Sequence, residues 1–299
     1  MRKLQSAALV ILLCALPPLA AIEQPDWDYS AGLGGTYLNS GGNDAQTFYW
    51  GPYATVGLQL TDMVGVRAEG RHSRDRLLYD GLGNVARQSM TGLGMGLTFD
   101  VTDHMLVDAD YNYRFGENAF SEHEGSVAVE YDGLKIIRLG GDAEISRRSY
   151  VFPGSGTEVS ALSRSYTLDI VPVPAPWLEL PLSGSVSSSE FSTNTSVYTV
   201  YLFSAGTTFY MFDRRLVLGA AFAPGRDSSN YTIMGGDFRV RIRATDSITL
   251  RATASIATYS FISTVAARGK RQAGASLNPL GNTDSFSIST VGFDVSYSY

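Results

Sequence analysis

From about residue 27 onward, apolar side chains recur at every second position. In the terminal stretch "VGFDVSYSY", Val291, Phe293, Val295, Tyr297 and Tyr299 share one face, and Gly292, Asp294, Ser296 and Ser298 share the other. A period of two describes a strand whose two faces meet different surroundings. In "MLVDADYNYRF", Met105, Val107, Ala109, Tyr111, Tyr113 and Phe115 oppose Asp108, Asp110, Asn112 and Arg114. In "IIRLGGDAEIS", Ile137, Leu139, Ala143 and Ile145 oppose Arg138, Asp142, Glu144 and Ser146. In "SITLRATASI", Ile248, Leu250, Ala252, Ala254 and Ile256 oppose Thr249, Arg251, Thr253 and Ser255. The pattern predicts fourteen strands, at 27–38, 47–60, 64–73, 89–100, 105–115, 124–131, 135–146, 163–171, 177–187, 197–209, 216–224, 230–243, 247–258 and 285–299. The count falls to twelve if 163–171 and 177–187 merge across "VPVPAPW". Pro181, which has no backbone donor, is tolerated there only at a strand end or a bulge.

Amphipathic strands also suit a soluble sandwich or a lipocalin-like barrel, so the direction of the apolar face needs independent grounds. The strands run to about ten residues, whereas soluble strands average about five or six and a tilted membrane strand needs about nine to eleven. Short connections, at 61–63, 101–104, 132–134, 212–215 and 244–246, alternate with long ones at 73–88, 147–163 and 260–284. Aromatic residues cluster near the strand ends, among them Trp27, Tyr29, Phe48, Trp50, Tyr111, Tyr113, Phe115, Phe209, Tyr297 and Tyr299, where membrane interfaces favour them. All three features turn the apolar face toward lipid. Three short turns repeat a Thr-Asp pair, at Thr61-Asp62, Thr102-Asp103 and Thr245-Asp246, which reports turn chemistry rather than a duplicated function.

After the N-terminus no apolar run approaches the roughly 18 residues of a membrane helix. Residues 1–21 have the layout of a secretory signal peptide, with Arg2 and Lys3, then "SAALVILLCAL", then small residues. Residues 22–299 are then the mature barrel, whose first strand follows so closely that no N-terminal plug is expected. The single cysteine, Cys14, lies inside the apolar run, so the exported chain has no disulfide and needs a large core or a membrane for stability. Losing Arg2 and Lys3 shifts the formal charge of −6 further negative, which argues against nucleic acid as a partner.

Taken together, the chain resembles the Gram-negative, porin-like outer-membrane β-barrel proteins, a likeness that covers its whole length. The resemblance implies an all-β, antiparallel up-and-down barrel with both termini on the periplasmic side. It also implies residence in the outer membrane among lipid and lipopolysaccharide. In that family a last strand of alternating apolar residues ending on an aromatic one is the signal read by the barrel-assembly machinery, and Phe293, Val295, Tyr297 and Tyr299 match it. The last strand should close the barrel against the first, near Trp27 to Leu38, leaving no free edge. The length is similar to that of the monomeric fourteen-stranded porins, so a monomer is expected, and no motif ties the chain to one subfamily.

If the apolar face meets lipid, the charged face lines the lumen. Arg67, Glu69, Arg71, Asp108, Asp110, Arg138, Asp142, Glu144, Arg239, Arg241 and Arg251 would then tune selectivity for small hydrophilic solutes. The expected function is a passive channel. A non-conducting scaffold whose charges merely pair with one another is the alternative. Loop 260–284, with Arg268, Lys270 and Arg271, could gate the lumen, face lipopolysaccharide or do neither. A constriction by an inserted third loop is not expected, because the connection at 116–123 is short.

A hydrolase with a site at the rim is the remote alternative. Its best candidates, His72 and Ser73, are adjacent in a strand and point to opposite faces, so no enzyme activity is expected. His104 in a turn and His123 at a loop end lack metal-site spacing, and neither a metal nor a cofactor is expected. Lipid-facing Leu250 is placed near the bilayer midplane, where Leu250→Arg should cost on the order of 2–4 kcal/mol. Arg251→Leu should instead alter selectivity with a smaller effect on folding.

Overall fold

The computed structural model describes residues 27–40, 45–79, 85–152, 155–229, 231–261 and 285–298. Residues 1–26, where the signal peptide is expected, most of the connection expected at 260–284, and Tyr299 lie outside them.

The wall begins with β1 (Trp27–Ser40), β2 (Ala45–Thr61), β3 (Val64–Tyr79), β4 (Val85–Thr102) and β5 (Met105–Gly116). It continues through β6 (Ser121–Leu134), β7 (Ile137–Val151), β8 (Glu158–Pro172), β10 (Leu182–Phe191) and β11 (Asn194–Met211). It ends with β12 (Leu216–Asp227), β13 (Tyr231–Arg243), β14 (Ile248–Phe261) and β15 (Ser285–Ser298). Between β8 and β10, the two-residue β9 (Leu178–Glu179) pairs only with the end of β11. Every neighbouring pair is antiparallel, and β15 pairs with β1 from Ser30↔Ser298 to Ser40↔Ile288. The result is a closed barrel of fourteen wall strands, closed by the strand that the terminal alternation singled out.

The wall strands run from 10 to 18 residues, and some exceed the predicted spans. The connections expected at 73–88 and 147–163 are largely strand. The β3–β4 hairpin continues to Tyr79↔Val85 past a bulge between Ser73 and Arg76, and β7–β8 continues to Val151↔Glu158. These extensions carry polar residues on both faces, so the alternation fades while the ladder persists. The strand expected at 177–187 is split. Pro181 sits in the gap between β9 and β10, where its carbonyl accepts from Gly206 N at 2.8 Å. A proline at a strand end forfeits no ladder donor.

The Thr-Asp turns work through threonine. The Oγ1 atoms of Thr61 and Thr102 each accept from the backbone N–H two residues on, at 3.2 Å, and that of Thr245 accepts from Ile248 N at 2.9 Å. Another turn, between β11 and β12, is left-handed, with φ of 53°, 53° and 63° at Phe212, Asp213 and Arg214.

Large apolar side chains cover the outside. On β4, Leu93, Met95, Leu97, Phe99 and Val101 are all exposed, with Met95 at 66 %. In β15, Phe293, Val295 and Tyr297 face outward in the same way. Leu250 also faces outward, but it is the third residue of β14 and so lies near the turn end rather than at the midplane. The buried apolar residues are inside. Met90, Phe120, Tyr150, Phe152 and Val159 form one cluster, with Phe191 packed against it. Four wall strands separate β4 from β10 along the sheet, so this cluster reaches across the interior near the loop end.

Candidate functional site

The lumen has two zones. Toward the loop end it is filled. Arg114 on β5 bonds Glu122 at 2.8 Å and Glu124 at 2.7 Å, both on β6, and Arg148 on β7 reaches Glu122 at 3.3 Å. The Arg114 and Glu122 side chains are only 16 % and 7 % exposed, so the charges are held by one another and by a ladder that sets Arg114, Glu122 and Arg148 side by side on adjacent strands. The apolar cluster sits beside this network. Phe120 enters it from the four-residue connection after β5, where Asn118 and Ala119 adopt φ of 53° and 54°, and its ring lies 6.1 Å from that of Tyr150. On the opposite wall, Asp227 accepts from Tyr198 Oη at 2.8 Å and from the backbone N–H groups of Ser229 and Tyr231 at 2.9 Å. That carboxylate ties down the connection between β12 and β13.

Toward the turn end the lumen opens into a cavity of about 960 Å³. Its space comes from small side chains, including Ser183, Ser185 and Ser204 on β10–β11 and Gly219 and Ala221 on β12. Its charges are unevenly spread, with Asp237 the carboxylate among the arginines of β13 and β14. Arg239 and Arg241 on β13 and Arg251 on β14 line one wall; Asp100, Glu130 and Asp169, on β4, β6 and β8, line the facing one. Arg138 also reaches the cavity, bound to Glu179 at 2.5 Å. This pair explains the two-residue β9, whose ladder with β11 places Glu179 at the lumen face.

The residues expected to tune selectivity have the following neighbours. Arg67 bonds Asp110 at 2.6 Å, Arg71 lies 3.1 Å from Glu69, Thr98 donates to Asp108 at 2.6 Å, and Arg239 bonds Asp237 at 2.8 Å. Asp142 and Glu144 stand on the inward face of β7, opposite Ala128 and Ser126 of β6. The eleven residues nevertheless do not form one ring. Arg138, Arg239, Arg241 and Arg251 line the large cavity, whereas Glu69 and Arg71 border a separate void of about 80 Å³.

Gly92, Gly94 and Gly96 face inward as expected, but the space they leave is occupied. A Cβ on Gly94 would collide with Asn112 Oδ1, and one on Gly96 would collide with Asp110 Oδ1 and come within 3.2 Å of the Arg67 guanidinium. The Arg114 network and the acidic wall escaped the sequence reading. Their signal was the inward parity of Glu122, Glu124, Glu130 and Asp169, which falls on strands whose alternation is otherwise weak.

The histidines are dispersed. His72 Nδ1 lies 3.0 Å from Thr91 Oγ1, while Ser73 borders the small void. His123 is the third residue of β6, close to its loop end, with its ring 4.8 Å from that of Tyr113. His104 is in the β4–β5 turn, 3.1 Å from Asp132. Among the described residues no group of three metal-ligating side chains converges.

Comparison with solved structures bears on the architecture. The crystal structure of the Pseudomonas putida toluene transporter TodX matches with a TM-score of 0.52 at 13 % identity, over 93 % of this chain and 90 % of that one. The CymD monoaromatic hydrocarbon channel matches with a TM-score of 0.55 at 8 % identity, over 90 % and 87 %. This is the fold of an outer-membrane β-barrel. A FadL homologue of Pseudomonas aeruginosa shares the barrel too, with a TM-score of 0.51 at 12 % identity, over 93 % and 90 %. No family model and no curated protein matches the chain.

Proposed function

We propose that this barrel resides in the outer membrane and acts as a narrow, gated channel for small polar solutes, with its turn end in the periplasm. The observation that carries the reading is the cavity of about 960 Å³ lined by Arg239, Arg241 and Arg251 and, facing them, by Asp100, Glu130 and Asp169. Charged groups that line a pore select solutes by field and by size. The toluene transporter and the hydrocarbon channel handle apolar cargo, but here the large cavity is bordered by ions, which favours polar cargo. Above the cavity, the Phe120–Tyr150–Val159 cluster is an apolar constriction, and such constrictions gate by excluding water.

A second reading has its own observation. The buried Arg114–Glu122–Glu124 network and the apolar cluster together suit a sealed barrel that serves as a scaffold. Planar-bilayer recordings of refolded protein in a KCl gradient separate the two. The channel reading expects small steps from the wild type and larger or more frequent ones from Phe120→Ala. Silence from both proteins, each folded by heat-modifiable gel mobility, refutes the channel and supports the scaffold.

A further inference from the structure

We propose that Arg241 and Arg251 form an oxyanion subsite on the cavity wall, taking the carboxylate or phosphate group of a small solute. The two residues are direct cross-strand partners in the β13–β14 ladder, and both line the cavity. Like charges directly opposite on a sheet repel, so this pairing costs stability unless an anion lies between them. Arg67, Arg114, Arg138, Arg164 and Arg239 each have a carboxylate within 3.0 Å. Among the described residues, none lies within 4.0 Å of Arg241 or Arg251.

The carboxylates nearest in the ladder do not close on the pair. Asp237, two residues before Arg239, bonds that residue at 2.8 Å. Asp294, the β15 partner of Arg251, is hydrogen-bonded with Tyr53, and its Oδ1 is buried without a hydrogen-bond partner and does not pair with the arginine. Room for a ligand comes from Gly219, Ala221 and Thr253, which line the same wall. Across the cavity, Asp100, Glu130 and Asp169 repel an anion toward the arginines. Two guanidinium forks match the planar or tetrahedral array of oxygens on a carboxylate or phosphate, and charge-assisted pairs of this kind are among the stronger hydrogen bonds. An ammonium could not offer the same fork.

The site deepens the channel reading, on which only its role in transport rests, and binding is measured apart from conduction. The experiment is equilibrium dialysis of the refolded full-length protein in detergent against radiolabelled inorganic phosphate, with folding of each variant verified by heat-modifiable mobility. Wild type should show a saturable site. Arg241→Gln and Arg251→Gln should each weaken it by about tenfold or more, the loss of one charge-assisted contact. Arg241→Lys, which keeps the charge but not the fork, should fall between them and wild type. Arg164→Gln, on the outer face toward the loop end, should bind as wild type does. Acetate should displace the label more effectively than chloride at equal ionic strength. No saturable binding by folded wild type, an equal loss in Arg164→Gln, or displacement by chloride as efficient as by acetate would overturn the subsite. Saturable binding without channel currents would refute the channel and keep the subsite, and currents without saturable binding would do the reverse.

Discussion

Placing a cation on the outer face tests the inside-out assignment at its most sensitive point. On β4 the outward apolar residues run from Leu93 to Val101, and Leu97 is the middle one. A strand rises about 3.4 Å per residue and tilts about 45° from the membrane normal. The stretch from Leu93 to Val101 therefore climbs about 19 Å, most of an apolar band about 25 Å tall. Leu97 sits near the centre of that band, 44 % exposed and flanked in the ladder by Val66 and Ala109. Leu97→Arg should cost about 2–4 kcal/mol, and 3 kcal/mol is a factor of roughly 150 in the folding equilibrium. Leu250 is similarly exposed, at 38 %, but it lies only about 5 Å above the start of β14 by the same rise and tilt. Leu250→Arg should therefore cost about 0–1 kcal/mol. The assay is reversible denaturant unfolding in phospholipid vesicles, followed by tryptophan fluorescence. A cost below about 1 kcal/mol for Leu97→Arg, or equal costs at the two positions, would refute the depth argument and with it the placement of this face in lipid.

Other expectations concern the interior. Arg114→Met leaves Glu124 without its cation and Glu122 with Arg148 alone, at 3.3 Å, and should cost about 3–5 kcal/mol. Arg67→Met breaks a pair that is half open to water and should cost about 0–1 kcal/mol; similar costs for the two in one unfolding series would count against the filled upper zone. Gly96→Ala forces a methyl group against Asp110 and Arg67, and the same titration should show a loss of about 1–3 kcal/mol from overpacking. An unchanged midpoint would mean that those side chains move aside freely.

The wall was legible because a two-faced strand between lipid and a polar lumen must alternate. Val107, Ala109 and Tyr111 against Asp108 and Asp110 admit one register, and the terminal aromatic alternation led to the strand that closes on β1. Legibility faded where one of the two environments is missing. Beyond Ser73 and Arg147 the hairpins continue with polar residues on both faces, so the composition reads as loop while the backbone ladder continues. Pro181 was recognised as a break, but the two-residue pairing of Leu178 and Glu179 with β11 depends on distant partners that no local pattern encodes. The apolar cluster was concealed for a related reason. Met90, Val159 and Phe191 stand at polar-face positions, where a lone apolar residue looks like noise until the closed wall brings three strands together. The opposed pair Arg241 and Arg251 was visible as two inward arginines, but their lack of a carboxylate is a fact of side-chain geometry.

The β15–β1 ladder has a consequence for how the cell meets a damaged copy. Every other wall contact joins wall strands that follow one another along the chain, so the sheet can lengthen in chain order while still carrying two open margins. In hydrocarbon each unsatisfied backbone group on such a margin costs several kcal/mol. A copy that lost residues 285–298 could thus preserve twelve of its wall contacts' worth of sequence and still fail to become a membrane protein at all. The bilayer acts here as an inspector of completeness, since a chain shortened by premature termination or proteolysis is turned away by the same physics that retains the intact one.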